Sequence, residues 1–83
     1  THGTDTMIET AREIAKENVS KTIVLTGAFI PHMLKASDST FNIGTALAYV
    51  QTLSPGVYIV MNGQYFSSSN VKKNKELGVF QTL

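Results

Sequence analysis

Apolar residues recur every three or four positions in two segments of the chain, which is the spacing that places side chains on one face of a helix. The first segment extends from residue 7 to about residue 18, and the second from about residue 42 to residue 53. The recurring residues are Met7, Ile8, Ala11, Ile14 and Ala15 in the first segment and Ile43, Ala46, Leu47, Val50 and Leu53 in the second. Thr6 and Glu9 have the spacing of a capping box at the start of the first helix. The pattern predicts two helices that each bury one face.

Two short apolar runs predict strands. Residues 22–26 and 57–61 are rich in β-branched side chains and do not alternate between apolar and polar positions. Such runs are typical of strands that are covered on both faces of a parallel sheet. The Asn62-Gly63 pair then predicts a tight hairpin turn, with residues 64–66 returning antiparallel to the second strand.

The order of these elements predicts the fold class. Residues 31–40 are expected to form a long connecting loop, and residues 71–83 a basic tail that is irregular or briefly helical. The predicted order is helix, strand, helix, strand and hairpin. It contains one right-handed βαβ unit preceded by a helix. Two parallel strands do not make a stable covered sheet, so we expect a further strand before Thr1. The pattern predicts a three-layer α/β fold with a parallel, Rossmann-like sheet, of which residues 1–83 form part of one domain.

Composition and charge exclude several classes of protein. Charged residues make up 16% of the 83 residues and the net charge is +1, so the chain lacks the basic surface that nucleic acids and anionic membranes attract. The longest apolar run is far too short to cross a bilayer. The absence of cysteine excludes disulfides, thiolate metal sites and a cysteine nucleophile. No secretory leader is visible, and we expect a cytoplasmic protein.

Residues 1–6 form the densest polar cluster, directly before the first helix and at the predicted carboxyl end of a strand. Open α/β sheets bind ligands at that edge, and the N–H groups of a helix N-terminus favour anions. A threonine hydroxyl there can attack a carbonyl group when a base accepts its proton. The alternative is that these threonine and aspartate residues cap the helix, an effect of about 1 kcal/mol each, and composition alone favours this simpler interpretation.

Three lysines near the end of the chain, Lys72, Lys73 and Lys75, are expected to lie on a solvated surface. A catalytic lysine would have to be desolvated, or paired with an acid and a hydroxyl, so that it accepts a proton. Thr4 and Asp5 are the natural partners for such a lysine in this chain.

Other candidate residues point to structure rather than to a cofactor. His2 and His32 are not expected to form a metal site, because no cysteine or helically spaced carboxylate accompanies them. Asp38 is expected to cap the second helix or to tie a turn, and Phe29 to contribute packing. Gly27 allows a close backbone approach after a strand, but the sequence has neither a G-x-G-x-x-G motif nor a P-loop. Dinucleotide binding is therefore poorly supported.

Several segments, taken in order along the chain, carry a family resemblance. The string His2-Gly-Thr-Asp-Thr6 stands in front of a helix, and residues 23–28, 37–47 and 56–62 follow in register. Val71 and Lys73 form the last segment. A register shifted by one residue would put Lys72 in the place of Lys73. Together these segments resemble the bacterial-type asparaginase/glutaminase family over nearly the whole chain. The resemblance implies an asparaginase N-terminal-type domain, of which this chain would be the C-terminal half, as in short single-domain members.

The resemblance implies hydrolysis of asparagine to aspartate and ammonia, by acyl transfer through a threonine. In the family a first threonine, in a T-G-G-T-type motif, is the nucleophile, and a second Thr–Asp–Lys set completes the site. The resemblance assigns Thr4 as the second catalytic threonine. It assigns Asp5 to binding the substrate's α-amino group and Lys73 to proton removal from Thr4. The backbone at Ala28 would face the substrate amide, and Gly3 would allow close approach. Neither a metal nor an organic cofactor is implied.

Two functions remain open, because the sequence contains no T-G-G-T motif and no Ser–Gln substrate-binding pair. In the first, the chain is part of an amidohydrolase acting on asparagine-like amides. In the second, it is a non-catalytic association or amino-acid-binding module. Because its strand edge and helix faces need partners, we expect a homo-oligomer or pairing with a missing N-terminal half. The isolated chain is expected to have no appreciable asparaginase activity.

Overall fold

The structure, a computed structural model, describes residues 1–83 as two α-helices and five β-strands. In chain order these are α1 (Met7–Lys16), β1 (Thr22–Leu25), α2 (Ser39–Val50), β2 (Gly56–Met61), β3 (Gln64–Ser67), β4 (Lys72–Asn74) and β5 (Val79–Gln81). With 10 and 12 residues, neither helix has the length and apolar character needed to cross a membrane.

Strands β1, β2 and β3 form one mixed sheet with β2 at its centre. β1 pairs in parallel with β2, so that Ile23 lies opposite Val57. β3 returns antiparallel to β2 across Asn62 and Gly63, whose φ angles are 56° and 77°. A tight hairpin turn of this kind requires positive φ at both positions, which an Asn-Gly pair adopts at low cost. The parallel pair and the hairpin that the sequence predicts are both confirmed.

The two helices cover opposite faces of this sheet. Leu25 and Ile59 belong to the same buried cluster as Met7 of α1. Val24 lies on the other face, where it lines a small cavity with Ala46 of α2, because successive side chains of a strand alternate. The main buried cluster consists of Met7, Ala11, Leu25, Ile59, Met61, Phe66, Val71 and Phe80. The chain therefore forms the expected helix–sheet–helix layers.

The C-terminal segment is not the irregular or briefly helical tail that the sequence predicts. β4 and β5 pair antiparallel as a second, two-stranded sheet, with Lys73 opposite Phe80. Val71 and Phe80 are buried in the main cluster, and Gly78 turns the chain with a φ of 66°. Strands of three residues are too short to show an alternation pattern, so the sequence does not predict this hairpin. It is stabilised by the burial of Val71 and Phe80 against residues that are distant in the sequence.

The start of α2 and the cap of α1 also differ from the prediction. α2 begins at Ser39, earlier than expected, because Asp38 O already accepts a bond from Asn42 N at 3.1 Å. The last residues of the predicted 31–40 loop are therefore helical. α1 begins after Thr6 as expected, but Thr6 makes no side-chain capping bond, so the predicted capping box with Glu9 is not formed.

β1 is less covered than the sequence predicts. Only Leu25 of this strand is buried, and its other three residues are half-buried. One edge of β1 pairs with β2, and the other edge pairs with no strand. Ile43 and Leu47 of α2, which line a small cavity together with Val24 of β1, are 43% and 60% exposed. We call the free edge of β1 with Ile43 and Leu47 the β1–α2 surface; an open edge beside apolar side chains is a surface on which another strand can pair.

Candidate functional site

The segment before α1 lies against the carboxyl end of β1. His2 N donates to Thr26 O at 2.8 Å. Gly27 approaches the same segment so closely that a Cβ atom at this position would lie 2.2 Å from His2 O. Only glycine fits such an approach without displacement of the backbone. These contacts hold the following residues, Thr4 and Asp5, at the carboxyl edge of the sheet, where the sequence predicts a ligand site.

β4 brings Lys73 to Thr4 and Asp5 from the far end of the chain. Lys73 Nζ donates to Thr4 Oγ1 at 3.0 Å and to Asp5 Oδ1 at 2.8 Å. The side chain of Lys73 is 15% exposed, whereas that of Asp5 is 93% exposed. Lys72 is exposed and makes no such contact, since neighbouring side chains of a strand point to opposite faces. The structure thus joins three predicted residues, and Lys73 rather than Lys72 reaches the threonine.

Arg12 of α1 anchors the segment that leads into β4. Its Nε and Nη2 atoms donate to Ser68 O and Val71 O, each at 3.1 Å. Because α1 follows Thr4 and Asp5 closely, these bonds help to fix Lys73 relative to the two residues. The acceptors are 56 and 59 positions away from Arg12, so no local pattern in the sequence indicates this role.

Lys73 holds the pKa of Asp5 below its ordinary value. The hydrogen bond from Lys73 is the largest cause and its positive charge the next, while slight desolvation acts in the opposite direction. Asp5 is therefore anionic at neutral pH and still exposed enough to bind a cationic group. Thr4 Oγ1 lies within hydrogen-bond distance of a nitrogen that can exchange a proton with it. A hydroxyl, a lysine nitrogen and a carboxylate in contact are groups of the kind that take part in proton transfer.

Two aromatic rings complete the surroundings of Lys73. Its ammonium nitrogen lies 5.5 Å from the centroid of the Phe29 ring, within the range of a cation–π contact. Phe29 in turn packs on Phe80, with centroids 5.6 Å apart and ring planes at 41°. The sequence predicts only packing for Phe29, because its position beside Lys73 depends on how the loop after β1 meets β5.

The loop after β1 is held by two polar side chains near the start of α2. The Asp38 carboxylate accepts bonds from Phe29 N at 3.1 Å and Ile30 N at 3.0 Å. Asn42 is fully buried and donates to Gly27 O at 2.8 Å and to Asp38 Oδ2 at 3.0 Å. Burial acts to raise the pKa of Asp38, but the backbone N–H bonds and the Asn42 amide outweigh it and leave the pKa lowered. Asp38 therefore ties a turn, one of its two predicted roles.

Gly3 and Ala28 lie in a different cavity from Lys73. A cavity of about 540 Å³ is lined by Thr1, His2, Gly3, Gly27, Ala28, His32, Ser39, Thr40 and Ile43. Thr4, Asp5 and Lys73 line another cavity, of about 310 Å³. Gly3 and Thr4 are consecutive, so the two sets of predicted residues are separated by a single peptide unit.

The two histidines make hydrogen bonds within the protein. The ring nitrogens of His2 lie 2.7 Å from Gly3 O and 2.9 Å from Thr10 Oγ1. Nδ1 of His32 lies 2.7 Å from Ser39 Oγ. No group of three or more histidine, cysteine, aspartate and glutamate side chains is close enough to hold a metal ion. Both rings thus have partners that hold the loops at the carboxyl edge of the sheet.

Replacing Lys73 with methionine is expected to raise the pH at which Asp5 titrates. Because the folded-state pKa of Asp5 lies below its ordinary value of 3.8, the ion pair stabilises the fold above that pH and is lost as the pH falls through the folded-state pKa. The carboxyl carbon shift of Asp5, followed by NMR from pH 2 to pH 7, measures the midpoint. Lys72→Met is the matched control and should leave the midpoint unchanged; an equal shift in both variants would contradict the assignment of the pair.

Comparison with known proteins confirms the resemblance predicted from the sequence. Residues 1–81 match the family model described as asparaginase, N-terminal. The glutaminase-asparaginase of Acinetobacter glutaminasificans is 35% identical over 88% of this chain and 23% of that protein. The thermostable L-asparaginase from Thermococcus kodakarensis has a TM-score of 0.90 and 31% identity, over 99% of this chain and 26% of that chain. L-asparaginase I from Vibrio cholerae has a TM-score of 0.81 and 27% identity, over 98% of this chain and 26% of that chain. The chain thus spans about a quarter of the length of these relatives.

Proposed function

The chain belongs to the asparaginase family, and we propose that it carries the Thr–Asp–Lys part of an amidohydrolase site for asparagine-like amino-acid amides. The observation that supports this best is the contact of Lys73 Nζ with Thr4 Oγ1 at 3.0 Å and Asp5 Oδ1 at 2.8 Å. Thr4 and Asp5 lie 69 and 68 positions before Lys73 in the sequence, so only the folded chain brings the three residues together. A hydroxyl within hydrogen-bond distance of a possible base is the arrangement that activates a threonine or a water for attack.

The proposed reaction is the hydrolysis of a side-chain carboxamide. A nucleophilic oxygen adds to the carbonyl carbon, the C–N bond breaks, and the nitrogen leaves as ammonia after accepting a proton. Water then releases the acyl group as a carboxylate. In this scheme Thr4 orients the attacking water, and Lys73, acting as the neutral amine, accepts the water's proton through Thr4 Oγ1. It then returns this proton to the oxygen of the first nucleophile as that oxygen leaves the acyl carbon. The first nucleophile, the T-G-G-T-type threonine of the family, has no counterpart among the 83 residues.

Asp5 is proposed to bind the α-ammonium group of the substrate. Its side chain is 93% exposed, and its carboxylate is anionic at neutral pH, since its pKa lies below the already acidic ordinary value of an aspartate. One oxygen is bonded to Lys73, which leaves other acceptor positions free for a second cation. Ala28 and Gly3 are proposed to face the rest of the substrate with their backbone groups, since both line the cavity of about 540 Å³ on the other side of Thr4.

We propose that residues 1–83 are one part of an asparaginase N-terminal domain, and that the β1–α2 surface pairs with another part of that domain. The free edge of β1 and the exposed side chains of Ile43 and Leu47 support this. The chain also spans only about a quarter of its relatives' length. A second copy of the chain is expected to occupy the same surface when no other part is present.

The alternative is a non-catalytic module that binds an amino acid or a partner. It is favoured by one observation, the 93% exposed side chain of Asp5, whose carboxylate can bind a cationic group without a nucleophile nearby. The same Asp5 carboxylate would then bind an amino acid without turnover.

A chimera distinguishes the two functions. The matched quarter of the Acinetobacter glutaminase-asparaginase is replaced by residues 1–81 of this chain, and ammonia release from asparagine is measured. We expect turnover in the chimera and none in the isolated 83-residue chain. Thr4→Ala and Lys73→Met should each lower kcat by about 100-fold or more, the usual contribution of a proton-transfer group. Lys72→Met should keep the parent kcat; a folded chimera in which Lys73→Met also keeps it would exclude the catalytic role.

A further inference from the structure

We propose that Phe29 is a positioning residue for Lys73, whose ring covers the ammonium group and keeps Nζ directed at Thr4 Oγ1. For its catalytic meaning this inference rests on the proposed function, but its test does not depend on turnover. No sequence motif assigns a role to this ring, and the contact of 5.5 Å between Nζ and the ring centroid is made entirely by the tertiary fold.

The backbone that carries Phe29 is fixed on both sides of the residue. Phe29 N and Ile30 N donate to the two oxygens of Asp38 at 3.1 Å and 3.0 Å. Gly27 O accepts a bond of 2.8 Å from Asn42, a side chain with no exposed surface. Three backbone atoms in four consecutive residues are thus held by side chains at the start of α2. A loop held in this way presents its aromatic ring at one place.

The ring itself is fixed by Phe80. The two ring centroids lie 5.6 Å apart, and Phe80 is only 4% exposed. Phe80 is also the residue opposite Lys73 in the pairing of β4 and β5. Phe29 and Lys73 therefore share one buried neighbour, which ties the position of the ring to the strand that carries the lysine.

The ring restricts the directions open to the Lys73 ammonium. A lysine has a long flexible stem, and its partner Asp5 is 93% exposed, so the ion pair alone does not hold Nζ near Thr4. With the Phe29 ring on one side, the lysine side chain is 15% exposed and Nζ meets Thr4 Oγ1 at 3.0 Å. The ring face attracts the cation and excludes water from that side. Phe29 thus acts through Lys73 and does not itself touch the reacting atoms.

The first test uses the unmodified chain. Protons that lie over an aromatic ring face are shifted upfield in NMR spectra. We expect the ε-methylene protons of Lys73 to lie upfield of those of Lys72, whose side chain is exposed and contacts no ring. Equal shifts for the two lysines in the folded chain would overturn the proposal.

The second test is competitive acetylation with acetic anhydride at mildly alkaline pH, read by peptide mass spectrometry as the Lys73-to-Lys72 labelling ratio. Phe29→Leu should raise the ratio about twofold to fivefold, the factor that corresponds to loss of a cation–π contact at a partly exposed site. Phe29→Tyr, which keeps a ring, should restore the parent ratio. Phe41→Leu is the control, because Phe41 is 62% exposed on α2 and its ring makes no cation–π contact with Lys73.

The outcomes separate this proposal from the proposed function. An unchanged ratio in a folded Phe29→Leu variant overturns the positioning role. If Phe29→Leu does not fold, the upfield shift in the parent chain and its retention in Phe29→Tyr decide the matter. A raised labelling ratio together with an inactive chimera supports the positioning role of Phe29. It counts only against the proposed catalytic role of Lys73.

Discussion

Replacing Asn42 with leucine is expected to lower the free energy of unfolding by about 3–5 kcal/mol, although the two side chains have similar size. Asn42 has no exposed surface, and its amide bonds Gly27 O at 2.8 Å, Asp38 Oδ2 at 3.0 Å and Asn62 N at 3.0 Å. Leucine leaves Gly27 O and Asn62 N without this partner and removes one of the two bonds to Asp38 Oδ2, which keeps its bond from Phe29 N. An unsatisfied buried group costs about 1–3 kcal/mol. Because small domains are stable by only about 5–15 kcal/mol, the variant is close to the limit of folding.

Urea denaturation followed by far-UV circular dichroism measures this loss. The matched control is Asn70→Leu, the same substitution at an exposed residue whose side chain accepts one long bond of 3.3 Å from Leu83 N. We expect the control to change the unfolding free energy by less than about 0.5 kcal/mol. Similar losses in both variants would show that the amide of Asn42 has no special role.

Replacing Gly27 with alanine is expected to lower the free energy of unfolding by about 3 kcal/mol, above most single substitutions. The added Cβ atom would lie 2.2 Å from His2 O and 3.0 Å from Met7 Cε. The methionine end can move, but His2 is backbone, and its displacement stretches the 2.8 Å bond between His2 N and Thr26 O. Since Thr4 follows two residues later, the same displacement should weaken its contact with Lys73.

Gly44→Ala is the matched control, with an expected effect of opposite sign. Gly44 is in α2 and a Cβ atom there meets no atom within 4 Å. Alanine in a helix interior is favoured over glycine by about 0.5–1 kcal/mol. Thermal unfolding of both variants, with amide NMR spectra to locate the shifted residues, provides the comparison. A stable Gly27→Ala variant with unchanged shifts at Thr4 would contradict the close approach described above.

The features that the sequence predicts correctly are those with local causes. The two helices follow from their repeating apolar positions, and the β2–β3 hairpin follows from the Asn62-Gly63 pair. The choice between Lys72 and Lys73 as the lysine beside Thr4 has no local cause, because adjacent residues of a strand point to opposite faces. Only the pairing of β4 with β5 decides which of them faces Thr4.

Other features are invisible locally because their partners are distant in the sequence. β4 and β5 have three residues each, and the main cluster rather than their own pattern stabilises them. Asn42 bonds residues 15 and 20 positions away, so its role depends on the whole fold. One local indication exists: Asn42 stands four residues before Ala46 and therefore shares the buried face of α2. A polar residue on such a face is expected to have a specific partner.

The distance in sequence between Thr4 and Lys73 has a kinetic consequence. The contact closes a loop of nearly the whole chain, since its partners are 69 positions apart among 83 residues. Contacts of such separation slow folding, because loop entropy is lost before the contact forms. α1 and the β2–β3 hairpin can form early from local interactions, whereas the Thr4–Lys73 contact has to wait until the two ends of the chain meet.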